Sequence, residues 1–340
     1  MAVIASARTR AFRLRGRPGL LVVDECHRVA SEKNQEALDD RFDARLGLSA
    51  THERMDNAHE TVLLPYFGSV VFRLGYARAI GDGVITNVRV AFIGVEFTAE
   101  EHQIYDVLQR DLVRQKRRLV REFGCSSAPF SAFMNDVVRL AGGGGGVKAS
   151  MAANRWLTMW REKRELLAET PAKAAAVLSL RAAMDDAGRT LLFTQSIRSA
   201  EQLMTELGEA GVAVAAHHSG VTPDDRAEIM ADFARGELRV LSSVQTLEEG
   251  VDVPDADFAV IVASSKQRRQ MIQRMGRVMR RKVDGRDARF AILFVAQTDE
   301  DPRLGAQEVF VDELLEVARE SRVFAAGDEG IRDFLDPARR

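Results

Sequence analysis

Two adjacent carboxylates, Asp24 and Glu25, directly follow the short apolar run Leu20–Val23. Four apolar residues, two of them β-branched, favour a strand that is buried on both faces of a parallel sheet. Open α/β sheets bind ligands beyond the carboxyl ends of their strands, which is where this pair would lie. One carboxylate could hold Mg²⁺ while the other orients or deprotonates an attacking water, as nucleotide hydrolysis requires. The alternative is a solvated acidic turn, which the pair alone would favour.

A second short apolar strand is predicted in the run that ends in Ser49-Ala50-Thr51. Since neighbouring parallel strands finish side by side, Ser49 and Thr51 could hydrogen-bond the carboxylates that follow the first strand. The alternative role for such a strand end is an N-cap for the next helix.

The elements that would position such side chains are most regular in the second half of the chain. Apolar strand patterns alternate there with helical patterns, which predicts a parallel, doubly wound sheet. The predicted strands are 190–194, 212–216, 238–242, 258–263 and 290–295. His217 and His218 follow one of them with no Cys or His nearby in the sequence, so we expect a strand-end turn there rather than a metal site.

The middle of the chain predicts a helical insert that carries positive charge. Thr98 and Glu101 form a capping-box pattern at the start of a long helix. The helix carries six basic residues from Arg110 to Arg121, and Asp111 is the acid among them. A solvated helix face and a contact with a nucleic-acid backbone are both compatible with this pattern.

Two further patterns lie in the same insert. The five consecutive glycines 142–146 predict a flexible loop. Trp156 and Trp160 are four residues apart among basic residues, and this spacing favours a packing stripe over a base-stacking platform.

Length and charge limit the possible functions. The chain has 340 residues, which suits two α/β domains, and its net charge of −2 shows that it is not a polycation. A nucleic-acid partner must therefore be argued from local charge, and Lys266–Lys282 adds a second basic segment that contains no acid. Two cysteines exclude a disulfide framework, and no apolar run is long enough to cross a bilayer. We expect a cytoplasmic protein with no membrane partner.

Five segments of the chain, taken in order, match one known pattern. They are Asp24-Glu25-Cys26-His27, Ser49-Ala50-Thr51, Leu191–Thr194, Thr246–Pro254 and Gln273–Arg280. They resemble motifs II to VI of the superfamily 2 helicases and nucleic-acid translocases, with motif II in its DECH form, and the XPB-type and restriction-type DEAD/DEAH branch is the most similar. The resemblance implies an α/β fold of tandem RecA-like parallel sheets of the P-loop NTPase type, the first of them truncated, with a helical insert.

The resemblance also implies roles for residues of these motifs, with ATP and Mg²⁺ as cofactors. Asp24 would hold Mg²⁺ through water, and Glu25 would activate the attacking water. Arg277 and Arg280, three apart on a helix, would project from one face and act as arginine fingers. The resemblance implies nucleotide contacts for Gln273, Asp252 and Gly250, coupling roles for His27, Ser49 and Thr51, and nucleic-acid contacts for Thr194, Thr246 and Arg274.

Motif I of the family, the P-loop, has no match in this sequence, because no segment fits G-x-x-x-x-G-K-[ST]. The backbone amides and the lysine of a P-loop hold the β- and γ-phosphates. A truncated gene, a start site assigned too late, or an N-terminal half supplied by another polypeptide would explain the departure. Without this segment, we expect the first sheet to have an exposed apolar edge. We also expect negligible ATP hydrolysis by the chain on its own.

The motifs divide the chain into four expected segments. These are a truncated first RecA-like domain (1–85), a linker strand and helical insert with the glycine-rich loop (86–170), a RecA-like helicase C-terminal domain (171–300) and a helical extension (301–340). The function that the resemblance implies is ATP-dependent helicase or translocase activity on nucleic acid, with DNA favoured over RNA and a polypeptide that supplies motif I as a further partner. The alternative is a nucleic-acid-binding remnant without ATPase activity of its own.

Overall fold

In the computed structural model the chain divides into two units, Met1–Gly75 and Tyr76–Arg340. The structure describes residues 18–49, 57–244, 256–263, 278–280, 285–304 and 309–336. The division falls before residue 85, where the first domain was expected to end. The reason is that Ile80 and Ile85 pack against a core of the second unit.

The first unit is built on two parallel strands, β1 (Leu20–Val23) and β2 (Ala44–Gly47). The helical elements among its described residues are 3₁₀ turns at Cys26–Arg28 and Gln35–Ala37, a π-helical turn at His59–Leu63, and α1 (Leu64–Phe67).

One face of β1 and β2 is covered and the other is not. Val23 and Phe67 pack against the small core that Val29, Ala30 and Leu63 form. On β1, Leu20 is 61% exposed and Val22 is 50% exposed. The prediction that β1 is buried on both faces is therefore wrong for the described residues, among which a packed layer covers one face. The sequence predicted an exposed apolar sheet edge for this unit, and that expectation stays a prediction.

The second unit contains a seven-stranded parallel sheet with the order β5-β6-β4-β7-β8-β3-β9. Its strands are β3 (Val88–Val95), β4 (Thr190–Thr194), β5 (Val214–His217), β6 (Val240–Val244), β7 (Phe258–Ile261), β8 (Ala288–Val295) and β9 (Ala318–Ala325). The predicted parallel α/β sheet is confirmed.

Both faces of this sheet are packed, which explains the continuous apolar runs in its central strands. Within β7, Phe258 and Val260 belong to one core, and Ala259 and Ile261 belong to the core on the opposite face. The surrounding helices are α2 (Tyr76–Gly81), α6 (Pro171–Ser179), α7 (Arg181–Asp185), α8 (Ile197–Glu209), α9 (Pro223–Arg235), α10 (Val309–Val317) and α11 (Gly330–Leu335).

Two segments contribute strands where the sequence predicted something else. β3 was expected to be a linker strand, but it lies inside the sheet between β8 and β9. The extension 301–340 was expected to be helical, but it contains β9. The physical reason is the same for both, since β3 pairs with β8 and β9 along its length and these partners are distant in the sequence.

The predicted helical insert consists of α3 (Ala99–Phe123), α4 (Phe130–Ala141) and α5 (Val147–Glu169). The capping box of α3 is present, because Thr98 Oγ1 accepts from the backbone N–H of Glu101 at 3.2 Å and Glu101 accepts in return from the N–H of Thr98 at 2.9 Å. Trp156 is 3% exposed and donates its indole N–H to the carbonyl of Leu112, which confirms the packing role. Within the described ranges, no helix has the length and apolar composition needed to cross a membrane.

The glycine run between α4 and α5 forms a close-packed turn. Gly143 and Gly146 have φ angles of +99° and +81°, a region that side chains disfavour. A Cβ atom on Gly145 would lie 2.6 Å from Leu140 Cδ2. The expected flexible loop is therefore a tight turn whose backbone conformation and packing both require glycine.

Candidate functional site

Asp24 and Glu25 form a turn at the carboxyl end of the β1–β2 pair. The strand pairing brackets this turn, since the N–H of Leu48 donates to Val23 O and the N–H of Cys26 donates to Leu48 O, both at 2.9 Å. Glu25 has φ 51° and ψ 48°, in the left-handed region. For a residue with a side chain this conformation costs on the order of 1 kcal/mol. The flanking hydrogen bonds therefore hold Glu25 in a backbone conformation that is unfavourable for a residue with a side chain.

The two carboxylates of this turn have different surroundings. Asp24 is exposed, and its Oδ1 accepts from the N–H of Glu25 at 2.9 Å. Glu25 Oε2 lies 3.2 Å from Nδ1 of His27, whose side chain is buried. The same ring nitrogen lies 3.0 Å from Ser49 Oγ. The structure therefore brings four of the predicted residues together, with His27 linking Ser49 to Glu25.

Gly47 is a positioning residue that the motif comparison did not identify. A Cβ atom at this position would lie 3.1 Å from Cys26 Sγ and 3.2 Å from the ring of Phe67. The sequence could have indicated this role, because a glycine inside a predicted strand often marks a place where the backbone lies close to a neighbouring segment. Gly47 thereby lets the turn after β1 pack directly against the end of β2.

The residues of this turn suit a metal ion that is coordinated jointly by the protein and by the phosphates of a nucleotide. Among the described residues, no group of three or more His, Cys, Asp or Glu side chains could hold an ion by itself. Mg²⁺ is usually bound by one or two carboxylates together with waters and substrate phosphates. An exposed carboxylate at the end of a parallel strand, such as Asp24, suits that form of binding.

Thr194, predicted to contact nucleic acid, is the last residue of β4 and is 2% exposed. Its hydroxyl donates to the carbonyl of Ser196 at 3.4 Å, and Ser196 Oγ accepts from the N–H of Ser199 as the N-cap of α8. The observed contact of Thr194 is with the loop that begins α8, and its contact with nucleic acid stays a prediction.

Arg280, predicted to be an arginine finger, lies outside the helix in which it was expected. Val278 is helical, whereas Arg280 forms an antiparallel bridge with Ile85, and the carbonyl of Met279 accepts from the N–H of Thr86. Arg280 therefore does not share a helix face with the residue three positions earlier, as the sequence predicted that it would. The cause is this pairing with the chain around residue 85, which the local sequence does not show. The side chain of Arg280 is exposed.

The remaining predicted site residues lie outside the described parts of the chain, and their roles stay predictions. They are Thr51, Thr246, Gly250, Asp252, Gln273, Arg274 and Arg277.

Comparison with known families and proteins agrees with the motif pattern. Residues 172–282 match the helicase conserved C-terminal domain. The chain is 29% identical over 280 residues to the DNA 3'-5' translocase XPB2 of Sulfurisphaera tokodaii, which covers 82% of this chain and 59% of that protein. It is 38% identical over 97 residues to UvrABC system protein B of Methanococcoides burtonii, covering 27% of this chain and 15% of that protein. The chain thus spans less than two thirds of the length of these relatives.

Solved structures support the fold. The structure of Saccharomyces cerevisiae Dbp5 bound to RNA and ADP BeF3 matches with a TM-score of 0.54 and 12% identity, over 95% of this chain and 63% of that chain. At this identity the match shows a common fold, here the parallel α/β architecture of RecA-like helicase domains. The family match and the aligned relative therefore agree with the resemblance of the five motifs to the superfamily 2 helicases.

Proposed function

We propose that this chain is part of an ATP-dependent DNA translocase or helicase of the XPB-type or restriction-type branch. The observation that carries the proposal is the Asp24–Glu25 turn at the carboxyl end of two parallel strands, in a chain that also contains a helicase C-terminal domain. DNA is the favoured substrate because the relative that aligns over 82% of this chain is named a DNA translocase. RNA is the alternative substrate, since Dbp5 shares the fold and is bound to RNA.

The described residues suit the hydrolysis of a phosphoanhydride by water. ATP and Mg²⁺, when bound, supply the scissile bond and most of the countercharge on its phosphates. Asp24, which is exposed, would hold the ion through water. Glu25 would orient the attacking water and accept its proton, while His27, 3.2 Å from that carboxylate, fixes the carboxylate's position. Arg277 and Arg280 would place positive charge against the γ-phosphate.

The segment that would hold the phosphates must come from elsewhere, because no part of the sequence fits a P-loop. We therefore expect negligible ATP hydrolysis by this chain alone. The further partner of the proposal is a polypeptide, or an upstream segment of the same protein, that contains G-x-x-x-x-G-K-[ST]. The competing function is a binding module that holds nucleic acid without hydrolysing ATP.

Two measurements separate these functions. Sequencing the DNA upstream of the start codon shows whether a P-loop is encoded in frame or in a neighbouring gene. Phosphate release is then measured with the chain alone and with the P-loop segment added, with and without DNA. DNA-stimulated hydrolysis in the completed protein supports the motor. DNA binding without hydrolysis in every combination supports the binding module.

A further inference from the structure

The helical insert carries a groove of about 710 Å³ whose lining comes entirely from α3. Five arginines form most of this lining. The lining residues are Gln109, Arg110, Val113, Arg114, Arg117, Arg118, Arg121 and Glu122. We call this surface the α3 groove. It lies outside the region that matches the helicase C-terminal domain, residues 172–282.

The arginines of the α3 groove are spaced to form a stripe along the helix. Arg110, Arg114, Arg117 and Arg121 follow one another at intervals of four, three and four residues, so they share one face. The eleven steps from Arg110 to Arg121 advance about 16 Å along the helix axis. The stripe therefore presents positive charge along three turns of one helix.

The acids near the stripe neutralise only part of this charge. Arg114 pairs with Asp111 at 2.9 Å, and Arg118 pairs with Glu122 at 2.8 Å. Arg117 and Arg121 are exposed, and within the described parts of the chain neither lies within ion-pair distance of an acid. The α3 groove thus keeps an excess of positive charge although the whole chain is weakly acidic.

The stripe is not needed to fold the insert. The opposite face of α3 is the packed one, where Leu112 and Leu119 are at most 5% exposed. Phe133 and Trp156 belong to the same core. Exposed arginines without partners add little to the stability of a folded insert. Their accumulation on one face is better explained by a ligand.

A set of partly buried polar contacts ties the groove to the seven-stranded sheet. Lys163, 6% exposed, donates from Nζ to Gln109 Oε1 at 2.9 Å and also pairs with Asp299. The hydroxyl of Tyr105 donates to Asp299 Oδ1 at 2.9 Å and accepts from the N–H of Asp299 at the same distance. Asp299 belongs to the loop that follows β8. Because Gln109 also lines the α3 groove, the groove has a fixed position relative to the sheet.

From these observations we propose that the α3 groove binds the sugar-phosphate backbone of nucleic acid, independently of the helicase motifs and of nucleotide. The guanidinium group matches phosphate oxygens with two parallel hydrogen bonds, which explains why arginine outnumbers lysine on this face. A row of evenly spaced cations fits a regular row of phosphates, and such contacts carry no base specificity. The insert would therefore hold the strand or duplex on which the motor acts.

The test is the salt dependence of nucleic-acid binding by the full chain, measured without nucleotide. The probes are a fluorescently labelled DNA duplex and a single strand of mixed sequence. The variant Arg117→Glu/Arg121→Glu should bind about tenfold more weakly or worse at low salt. The slope of log affinity against log salt should fall by about two, since each phosphate contact contributes about one.

The matched control is Lys148→Glu/Arg155→Glu, which makes the same charge change at two exposed residues of α5 outside the groove lining. It should keep nearly the wild-type slope. Unchanged affinity and slope in the α3 variant, or an equal loss in the control, would overturn the proposal. If charge reversal impairs folding, judged by circular dichroism, then Arg117→Gln/Arg121→Gln should still lower the slope by about two, and failure to do so also overturns it.

A failure of nucleic-acid binding by the α3 groove can be distinguished from a failure of the proposed ATP hydrolysis. Glu25→Gln should leave nucleotide-free binding at the wild-type level, because Glu25 is not part of the α3 groove. A variant that loses ATP hydrolysis but still binds nucleic acid has a defect in the Asp24–Glu25 turn. A variant that loses nucleic-acid binding but can still hydrolyse ATP has a defect in the α3 groove.

Discussion

At the scale of single residues, the site depends on the left-handed conformation of Glu25. A residue with a side chain adopts such a conformation only where its surroundings impose it, and such strain is concentrated at functional sites. Here the imposed contacts come from the end of β2, through Leu48 and Ser49. The geometry of the Asp24–Glu25 turn therefore depends on residues outside the turn.

Gly47 provides a test of this dependence. Gly47→Ala would place a Cβ atom 3.1 Å from Cys26 Sγ, closer than a relaxed contact allows. We expect a loss of about 1–2 kcal/mol in the free energy of unfolding, since the surrounding backbone has to shift. Gly75→Ala is the matched control, because nothing lies within 4 Å of its Cβ position. Chemical denaturation of both variants checks the difference, and equal stabilities would show that the close approach is unimportant.

Asp301 gives a pH-dependent prediction in the second unit. Hydrogen bonds and charge from Arg303 lower the pKa of this carboxyl from 3.8 to about 2. Because its pKa is depressed in the folded state, Asp301 stabilises the protein above about pH 3.8, and this contribution is lost as the pH falls toward 2. Asp301→Asn should cost on the order of 2 kcal/mol at neutral pH. In denaturation across this range, the gap between wild type and variant should close with acidification, and a constant gap would contradict the assignment.

At the scale of elements, the contacts between the insert and the sheet make a specific prediction. Tyr105→Phe removes a hydroxyl that both donates to Asp299 and accepts from it. We expect a loss of about 1 kcal/mol in the free energy of unfolding and faster amide hydrogen exchange in the loop after β8. Tyr66→Phe, whose hydroxyl donates to Asp39 O in the first unit, should leave exchange in that loop unchanged. Equal exchange in both variants would mean that Tyr105 does not tie the insert to the sheet.

The sequence predicted those elements whose own pattern of apolar and polar residues indicates a strand or a helix. The central strands of the second sheet contain continuous apolar runs because both of their faces are covered, so the pattern predicted them directly. β9 was missed because it is an edge strand with exposed charged residues, and β3 was assigned to a linker because its partners are far along the chain. The same limit applies to the site. The motifs predicted roles for Asp24 and Glu25, and those roles stay predictions. The end of the helix before Arg280 could not be read from the motif, because it depends on pairing with Ile85.

At the scale of the whole molecule, three parts of the chain bear on the proposed function. These are a carboxylate turn suited to phosphoanhydride hydrolysis, a segment (residues 172–282) that matches the helicase conserved C-terminal domain, and a basic insert fixed to the second sheet. The segment that would hold the phosphates is the part that this sequence does not supply. The account therefore predicts a motor whose hydrolysis depends on a P-loop from elsewhere, while its binding to nucleic acid does not.

The most direct test of this account is steady-state phosphate release by the chain together with its P-loop segment, in the presence of DNA. Wild type is compared with Glu25→Gln and with Glu32→Gln, which changes an exposed carboxylate near the turn. The account predicts DNA-stimulated hydrolysis that falls by about 100-fold or more in Glu25→Gln and is unchanged in Glu32→Gln. A rate that Glu25→Gln leaves intact would contradict the assignment of this turn as the hydrolytic centre.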